Sequence, residues 1–544
     1  MHTRMFMAAV VVLLFTIANA RAQYDAPATY YSSISNQTGT ALQTQLRTIV
    51  NTGVTGVNYG NARFSAGVTD ADPSTGGNIH LMYTRASVPA TWDGGSTWNR
   101  EHIWPDSRLG PGANDPSNTY TGIASDQFNL RPCNPGVNTS HLNRNYGTPT
   151  SSGGYGTQSG NYWYPGNTDA GDVARSAFYM ATRWSHLSLV NGNPGANISQ
   201  MGDLNALLHY HYKDVPDTFE RRRNHAIYGL AGANSPAIAN SFKQSNRNPF
   251  VDRPEYAWSV YANQQNDTRL SVAAPDANGG SSASINLGRV LRNAPVPAAQ
   301  NVTLNKAGVN GTYYSVTAGG SATSTVNGRY NAFAMDTTGS RPIGVGLSTS
   351  TATAGLKSGA VVVDNLDVTT QGGAGRGAND ANDTINVSLS VLDGSNASFA
   401  ATDTNSLSID FGSVELGESV APIGFSIFNV ASSLGASLTA KLDLDSFVEA
   451  GDAESVFSTN LATFSNLAAA ASLGRSMFFD TSQLGTFDAT YTLMFSDENL
   501  PGTIGTTQLT LNVAGAVVAV PEPAASALCG MALGMLALRR RRRQ

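Results

Sequence analysis

Trp98-Asn99-Arg100-Glu101-His102-Ile103-Trp104-Pro105 sets a carboxylate and an imidazole side by side, with an arginine before them. Further along come Asp126-Gln127-Phe128-Asn129-Leu130-Arg131-Pro132 and then Val137-Asn138. The composition of Trp98–Trp104 predicts a strand. In a regular strand Glu101 and His102 would face opposite sides, so a bend or a strand end is needed for both to serve one site. Asp126–Leu130 is predicted as the return strand. Asn134-Pro135 then reads as a helix start, with Asn134 capping and Pro135 in the first helical position. That puts Asn138 in the first full turn, facing back toward the strands. A hard-metal ligand, a proton acceptor and nearby cations are the parts that phosphodiester cleavage needs.

The surrounding chain has 544 residues, too many for one core, so several domains are expected. Only 13% of residues are charged and glycine is abundant, which suits an exported, β-rich, loop-rich protein. A net charge of −5 excludes nucleic-acid binding by bulk charge alone. The charge is unevenly spread, however. Residues 24–265 carry 16 Lys and Arg against 16 Asp and Glu, and residues 266–520 carry 10 against 21. Fourteen of the first 16 cations are arginine, the side chain suited to bidentate phosphate contact, and seven of the eight histidines also lie there. The two cysteines, Cys133 and Cys529, are not expected to form an intramolecular bridge, because Cys529 lies in an apolar tail.

Within residues 24–265, helices are predicted over Ala41–Val50, Asp172–Trp184 and Asp203–Tyr212 from apolar spacing. From Asn266 onward Ser, Thr, Gly and Val dominate, and short strand-like runs appear at Ala360–Val363, Ile385–Val391 and Gln508–Val513. Ser284-Ile285-Asn286-Leu287-Gly288-Arg289-Val290 is echoed 124 residues later by Ser408-Ile409-Asp410-Phe411-Gly412-Ser413-Val414. Two tandem β-sandwiches fit that period, and they look like immunoglobulin-like surface modules; one larger sandwich is the alternative. The expected division is a leader at 1–22, a catalytic domain at 23–265, sandwiches at 266–395 and 396–519, and a tail at 520–544. Gly372–Gly377 reads as a flexible turn rather than a phosphate loop.

Both ends read as addresses. Arg4, the apolar run Met5–Ile17 and Ala18-Asn19-Ala20-Arg21-Ala22 form a secretory signal peptide with cleavage after Ala20 or Ala22. Val520-Pro521-Glu522-Pro523, the apolar Ala524–Leu538 and Arg539–Arg543 resemble the PEP-CTERM sorting signal. The resemblance implies transient membrane contact, processing by an exosortase-type protease, and delivery to the cell surface or extracellular matrix. A plain tail anchor is the alternative.

From Gln43 to Tyr261 the chain resembles the bacterial endonuclease I family, whose core is the ββα-metal (His-Me) finger. The matching segments are Trp98–Pro105, Asp126 with Asn129–Pro132, Val137-Asn138 with Asn143-Arg144, Gly171–Arg175, Arg222–Asn224 and Asn246–Pro254. The family often has His where this chain has Phe128, and some members an acid where it has Ala124. The resemblance implies an α+β nuclease domain ahead of the all-β modules, with His102 as general base and Glu101 and Asn138 as metal ligands. Mg²⁺ is the expected ion, with Ca²⁺ or Mn²⁺ as alternatives. Arg100, Arg131 and Arg144 are candidates for gripping phosphates, with structural pairing to local Asp as the competing role. The implied activity is cleavage of DNA, and of RNA as a further substrate, leaving 5′-phosphate ends. The rival is a surface or matrix protein whose nuclease-like domain binds nucleic acid without cutting it. His209 and His211 read as structural, since two residues apart on a helix they share no face. His80, His141, His186 and His225 show no partner in the sequence. Arg221–Arg223 reads as a salt-bridged helix start beside Glu220 rather than a face for DNA.

Overall fold

The computed structural model describes residues 24–520 except 36, 149–152, 197, 230–241, 263–265, 368–379 and 453. The leader at 1–22, all but the first residue of the tail at 520–544, and the glycine-rich turn at 372–377 lie outside the described residues. Among the described residues no helix is long and apolar enough to cross a membrane.

The helices of the first half wrap one core. Helix α1 (Gly39–Asn51) buries Leu42, Leu46 and Val50, a stripe spaced one turn apart, as the sequence predicts. Helix α2 (Ala62–Thr69) follows. A short hairpin, β1 (Asn78–His80) and β2 (Ser87–Pro89), precedes the strand pair β3 (Asn99–His102) and β4 (Leu130–Cys133). Helix α3 (Pro135–His141) leaves β4 directly. Helix α4 (Ala170–Arg183) is buried along all but its last residue, so it runs through the middle of the core rather than across its surface. Helices α5 (Leu204–Lys213) and α6 (Thr218–Tyr228) follow, and the short helices Pro249–Asp252 and Tyr256–Tyr261 come after them.

Ionic pairs inside this core explain where its arginines went. Arg175 on α4 is fully buried; its guanidinium lies 2.6 Å from Glu220 and donates to the Asp214 carbonyl at 2.7 Å. Arg183 bonds Asp126 at 2.6 Å, and Arg247 bonds Asp252 at 2.7 Å. Arg221–Arg223, on α6, are all buried. Arg221 pairs with Asp25 and Arg223 with Asp70, whereas Glu220 beside them serves Arg175 instead. A charged side chain held inside is retained only when paired or hydrogen-bonded: Arg175, Arg183, Arg221, Arg223 and Arg247 meet carboxylates, and Arg222 donates to the Ala71 carbonyl.

The second half is all β. Strands over 269–392 form a five-stranded and a four-stranded sheet whose inner faces share one apolar core, and strands over 397–518 repeat that arrangement. The internal echo lies at equivalent places in the two units. Ser282–Leu291 runs parallel to Asp383–Leu392, and Ser406–Glu415 runs parallel to Thr506–Val518. Both ladders shift register at the repeated glycine, Gly288 (φ 94°) and Gly412 (φ 71°), a left-handed backbone that favours glycine.

The first sheet pair docks on the helical half. The Tyr313 hydroxyl donates to the His211 carbonyl, and Tyr212, Trp258, Tyr313 and Ala332 form a small apolar cluster there. A Cβ on Gly311 would run into the Tyr212 ring, so glycine is what permits the approach. Arg329 pairs with Glu255, and the Arg221 guanidinium lies 4.3 Å from the centre of the Tyr330 ring.

Asp383 opens the last strand of the first unit and accepts the Ser281 N–H at 2.9 Å and its hydroxyl at 2.6 Å. Burial outweighs those bonds and pushes its carboxyl up to about 7. A raised folded-state value means this group's contribution to stability is full below its unfolded value and is lost as pH rises through about 7. Thermal unfolding of the full chain followed from about pH 5 to about pH 8 should therefore show a decline that is smaller in Asp383→Asn. Equal declines in the two proteins would contradict this.

Candidate active site

Strand β3 ends at His102, and Glu101 and His102 both lie within its ladder, facing opposite sides as the strand reading requires. The return strand is a correction to the sequence reading. It is Leu130–Cys133, not Asp126–Leu130, with Glu101 opposite Arg131 and His102 opposite Leu130. Asp126–Asn129 instead form a turn: Asp126 accepts the N–H of Phe128 at 3.1 Å through its side chain and of Asn129 at 2.9 Å through its carbonyl. Asn134 caps α3 by accepting the N–H groups of Gly136 and Val137, and Pro135 occupies the first turn, as predicted.

The strand's two-residue period sorts the site. Arg100 and His102 share one face, where both meet Tyr59. The His102 ring stacks on Tyr59 with 5.5 Å between centroids and 6° between planes, and the Arg100 guanidinium lies 3.6 Å from that ring's centre. Asn99 and Glu101 share the other face and meet α3. Asn138 Nδ2 donates to Asn99 Oδ1 at 2.8 Å and to the Arg100 carbonyl at 3.4 Å. Because a carbonyl can only accept, this fixes the amide with Oδ1 outward, and Oδ1 takes no hydrogen bond among the described residues.

His102 is buried, and its Nε2 lies 2.8 Å from the Ala124 carbonyl. That carbonyl accepts, so Nε2 carries the proton and Nδ1 the lone pair. Burial pulls the ring's pKa below its ordinary 6.5, outweighing the Ala124 bond and the nearby Asp106 and Glu101 charges, and favours the neutral ring. The contact at Ala124 is through the backbone carbonyl, which any residue at this position would offer. Phe128, the other departure, is buried against Tyr179 at 4.5 Å between centroids.

Glu101 is the most closely held of the candidates. Its Oε1 accepts from His141 Nδ1 at 2.6 Å and from the Tyr83 hydroxyl at 2.8 Å. Its Oε2 takes no hydrogen bond among the described residues. Burial, with the Glu101 charge second, holds the Tyr83 hydroxyl well above its ordinary range, so it stays a donor. Neither partner stands out in the sequence as such. His141 gives a faint signal, being three residues after Asn138 on the same helix face. Tyr83 gives none. The other silent histidines also have local roles: His80 sits 3.4 Å from Asp72, and His186 lies 2.9 Å from the Leu109 carbonyl. His211 is buried against the Pro254 carbonyl at 2.8 Å, a structural role as expected.

The three candidate phosphate contacts separate. Arg100 donates to the Tyr59 carbonyl at 2.6 Å and lies beside His102's stacking partner. Arg144 is half-buried and donates to Asn161 Oδ1 at 2.7 Å and to the Ser140 carbonyl. Arg131 is buried between Asp70, at 2.7 Å, and Asp172, at 3.3 Å, which is the structural pairing that competed with phosphate contact. Among the described residues no group of three or more His, Cys, Asp and Glu side chains is placed to hold a metal ion. The oxygen donors that fit a hard cation are Glu101 Oε2 and Asn138 Oδ1, which leave its other positions to water and substrate.

The family model for Endonuclease I matches residues 38–255. The chain is 34% identical over 246 residues to a protein named Extracellular ribonuclease from Bacillus amyloliquefaciens, covering 43% of this chain and 78% of that one. It is 32% identical over 263 residues to a protein of the same name from Bacillus subtilis (strain 168), covering 46% of this chain and 83% of that one.

Arg131→Ala should destabilise the protein by about 3 kcal/mol, the low end for a broken buried pair, because other arginines still face both carboxylates. Urea unfolding of the full chain measures this; unchanged stability would return Arg131 to the substrate side.

Proposed function

This chain belongs to the endonuclease I family and is a nuclease, a hydrolase of phosphodiester bonds. On that premise we propose that it is an exported, metal-dependent endonuclease that cuts DNA and RNA without selecting the sugar and leaves 5′-phosphate ends. The observation that carries this reading is the pairing of two hard oxygens that take no hydrogen bond among the described residues, Glu101 Oε2 and Asn138 Oδ1, with a buried His102 whose lone pair is at Nδ1. The strand pair and helix from Asn99 to His141 support a ββα-metal core.

In this mechanism His102 Nδ1 takes a proton from the attacking water, and its Nε2–H, bonded to the Ala124 carbonyl, keeps the ring in the required tautomer. The water oxygen bonds to phosphorus as the bond to the 3′ oxygen breaks. Glu101 and Asn138 would hold the ion, Mg²⁺ or an alternative such as Mn²⁺ or Ca²⁺. When bound, the ion supplies positive charge to the phosphorane and to the leaving oxygen. Arg144 and Arg100 are the proposed phosphate contacts; Arg131 is left out because its guanidinium is already committed to two carboxylates.

The substrate reading draws on the relatives' name for RNA and on sugar-blind placement of the chemistry at phosphorus for DNA. Export draws on the same name, on the leader sequence and on the tail. The β units at 266–395 and 396–519 are proposed as immunoglobulin-like modules that carry the catalytic domain at the cell surface or in the matrix, with an exosortase-type protease acting at the tail.

His102→Ala should lower kcat by roughly 10²–10⁴-fold while leaving substrate affinity and Tm near those of the unaltered protein. Steady-state cleavage of a labelled oligonucleotide, with melting curves alongside, measures both. A variant that keeps its full rate would remove His102 from the role of base.

A further inference from the structure

We propose that His141 and Tyr83 are positioning residues that hold Glu101 through Oε1 and so keep Oε2 as the oxygen available to the metal. This rests on the metal-site reading above and extends it to two residues outside the matching segments.

Both partners donate to one and the same carboxylate oxygen, His141 Nδ1 at 2.6 Å and the Tyr83 hydroxyl at 2.8 Å. His141, Glu101 and Tyr83 are each almost wholly buried, so water cannot substitute for either donor. A carboxylate free to rotate would present either oxygen to a cation; one bonded twice at Oε1 presents only the other. The donors are themselves fixed. Tyr83 takes a left-handed backbone, φ 70°, that a tyrosine rarely adopts, and its N–H is held by Asp169 at 2.7 Å. Tyr146 gives its own proton to the Ile103 carbonyl at 2.7 Å and lies 3.3 Å from the Tyr83 hydroxyl, so the Tyr83 proton is directed to Glu101.

His141 is not there merely to fill space. Its ring is enclosed by Tyr146 at 5.3 Å, Trp163 at 5.4 Å and Tyr83 at 5.9 Å between centroids, and its Nε2 is buried with no hydrogen-bond partner among the described residues. An apolar side chain of similar size would satisfy such a cage without stranding a nitrogen. What imidazole adds is the Nδ1–H on Glu101. The same helix carries Asn138 one turn earlier, so α3 delivers one proposed ligand and the support for the other to a single strand.

The test is Mg²⁺ titration calorimetry of the metal-stripped full chain, with melting curves for every variant. His141→Ala should weaken Mg²⁺ binding roughly 10–100-fold, and cleavage should recover in part at high Mg²⁺. His141→Asn, whose amide nitrogen can stand near Nδ1, should restore affinity to within about threefold. Tyr83→Phe, which removes only the hydroxyl, should weaken binding in the same direction, and it decides the matter should His141→Ala fail to fold. Unaltered Mg²⁺ affinity in folded His141→Ala or in Tyr83→Phe would overturn the positioning role. Glu101→Ala and Asn138→Ala separate the two readings. If they too bind Mg²⁺ as the unaltered chain does, the metal site itself is elsewhere; if they lose binding while His141→Ala and Tyr83→Phe keep it, only the positioning role falls.

Discussion

The short antiparallel ladder between Asn99–His102 and Leu130–Cys133 is the constraint on which the site depends. Its two-residue period sends Arg100 and His102 one way and Asn99 and Glu101 the other. Adjacent residues with different tasks thereby acquire different surroundings. His102 meets a flat ring and a backbone carbonyl, which set its orientation and tautomer. Glu101 meets a histidine and a tyrosine that occupy one of its oxygens. Helix α3 is tied to the same strand through the Arg100 carbonyl, so the proposed ligand pair and the proposed base share one small scaffold.

The arginines show why composition misleads about partners. The first half is rich in arginine, which suggests phosphate contact, yet Arg131, Arg175, Arg223 and Arg247 are buried and paired with carboxylates. Asp70 faces two of them, and so does Asp172. These pairs tie segments far apart in the chain: Asp70 after α2 to β4 and α6, and α4 to α6. Several residues of the family pattern have this structural use: Asn224 and Asn248 exchange backbone and side-chain hydrogen bonds, and Asn248 also caps the turn that begins at Pro249. What remains for nucleic acid is local rather than global charge, which fits a chain whose net charge is negative.

Much of the scaffold was legible in the sequence because its signals are local. The leucine stripe of α1, the Asn134-Pro135 helix start and the repeated Ile-Asx-apolar-Gly segment each carry a short-range physical cause. The return strand was misplaced because the strand-like look of Asp126–Leu130 conceals a turn stabilised by the Asp126 side chain. His141 was seen without a partner because its partner lies across the site on another element, and Tyr83 reaches Glu101 from a loop of unusual backbone geometry. The His211–Tyr313 joint between the catalytic half and the first sheet pair has no local trace at all. That joint is also the reason to study the chain whole, since removing the β region would expose the apolar cluster around Tyr212 and Trp258.

We propose that one metal-dependent site in this chain breaks phosphodiester bonds in either kind of nucleic acid. Incubating the purified full-length protein with supercoiled plasmid and with a structureless RNA, in Mg²⁺ and in EDTA, tests it most directly. Both polymers should be cut in Mg²⁺ to products bearing 5′-phosphates, and both should stay intact in EDTA. Binding of either polymer without cleavage in Mg²⁺, or cleavage undiminished by EDTA, would contradict it.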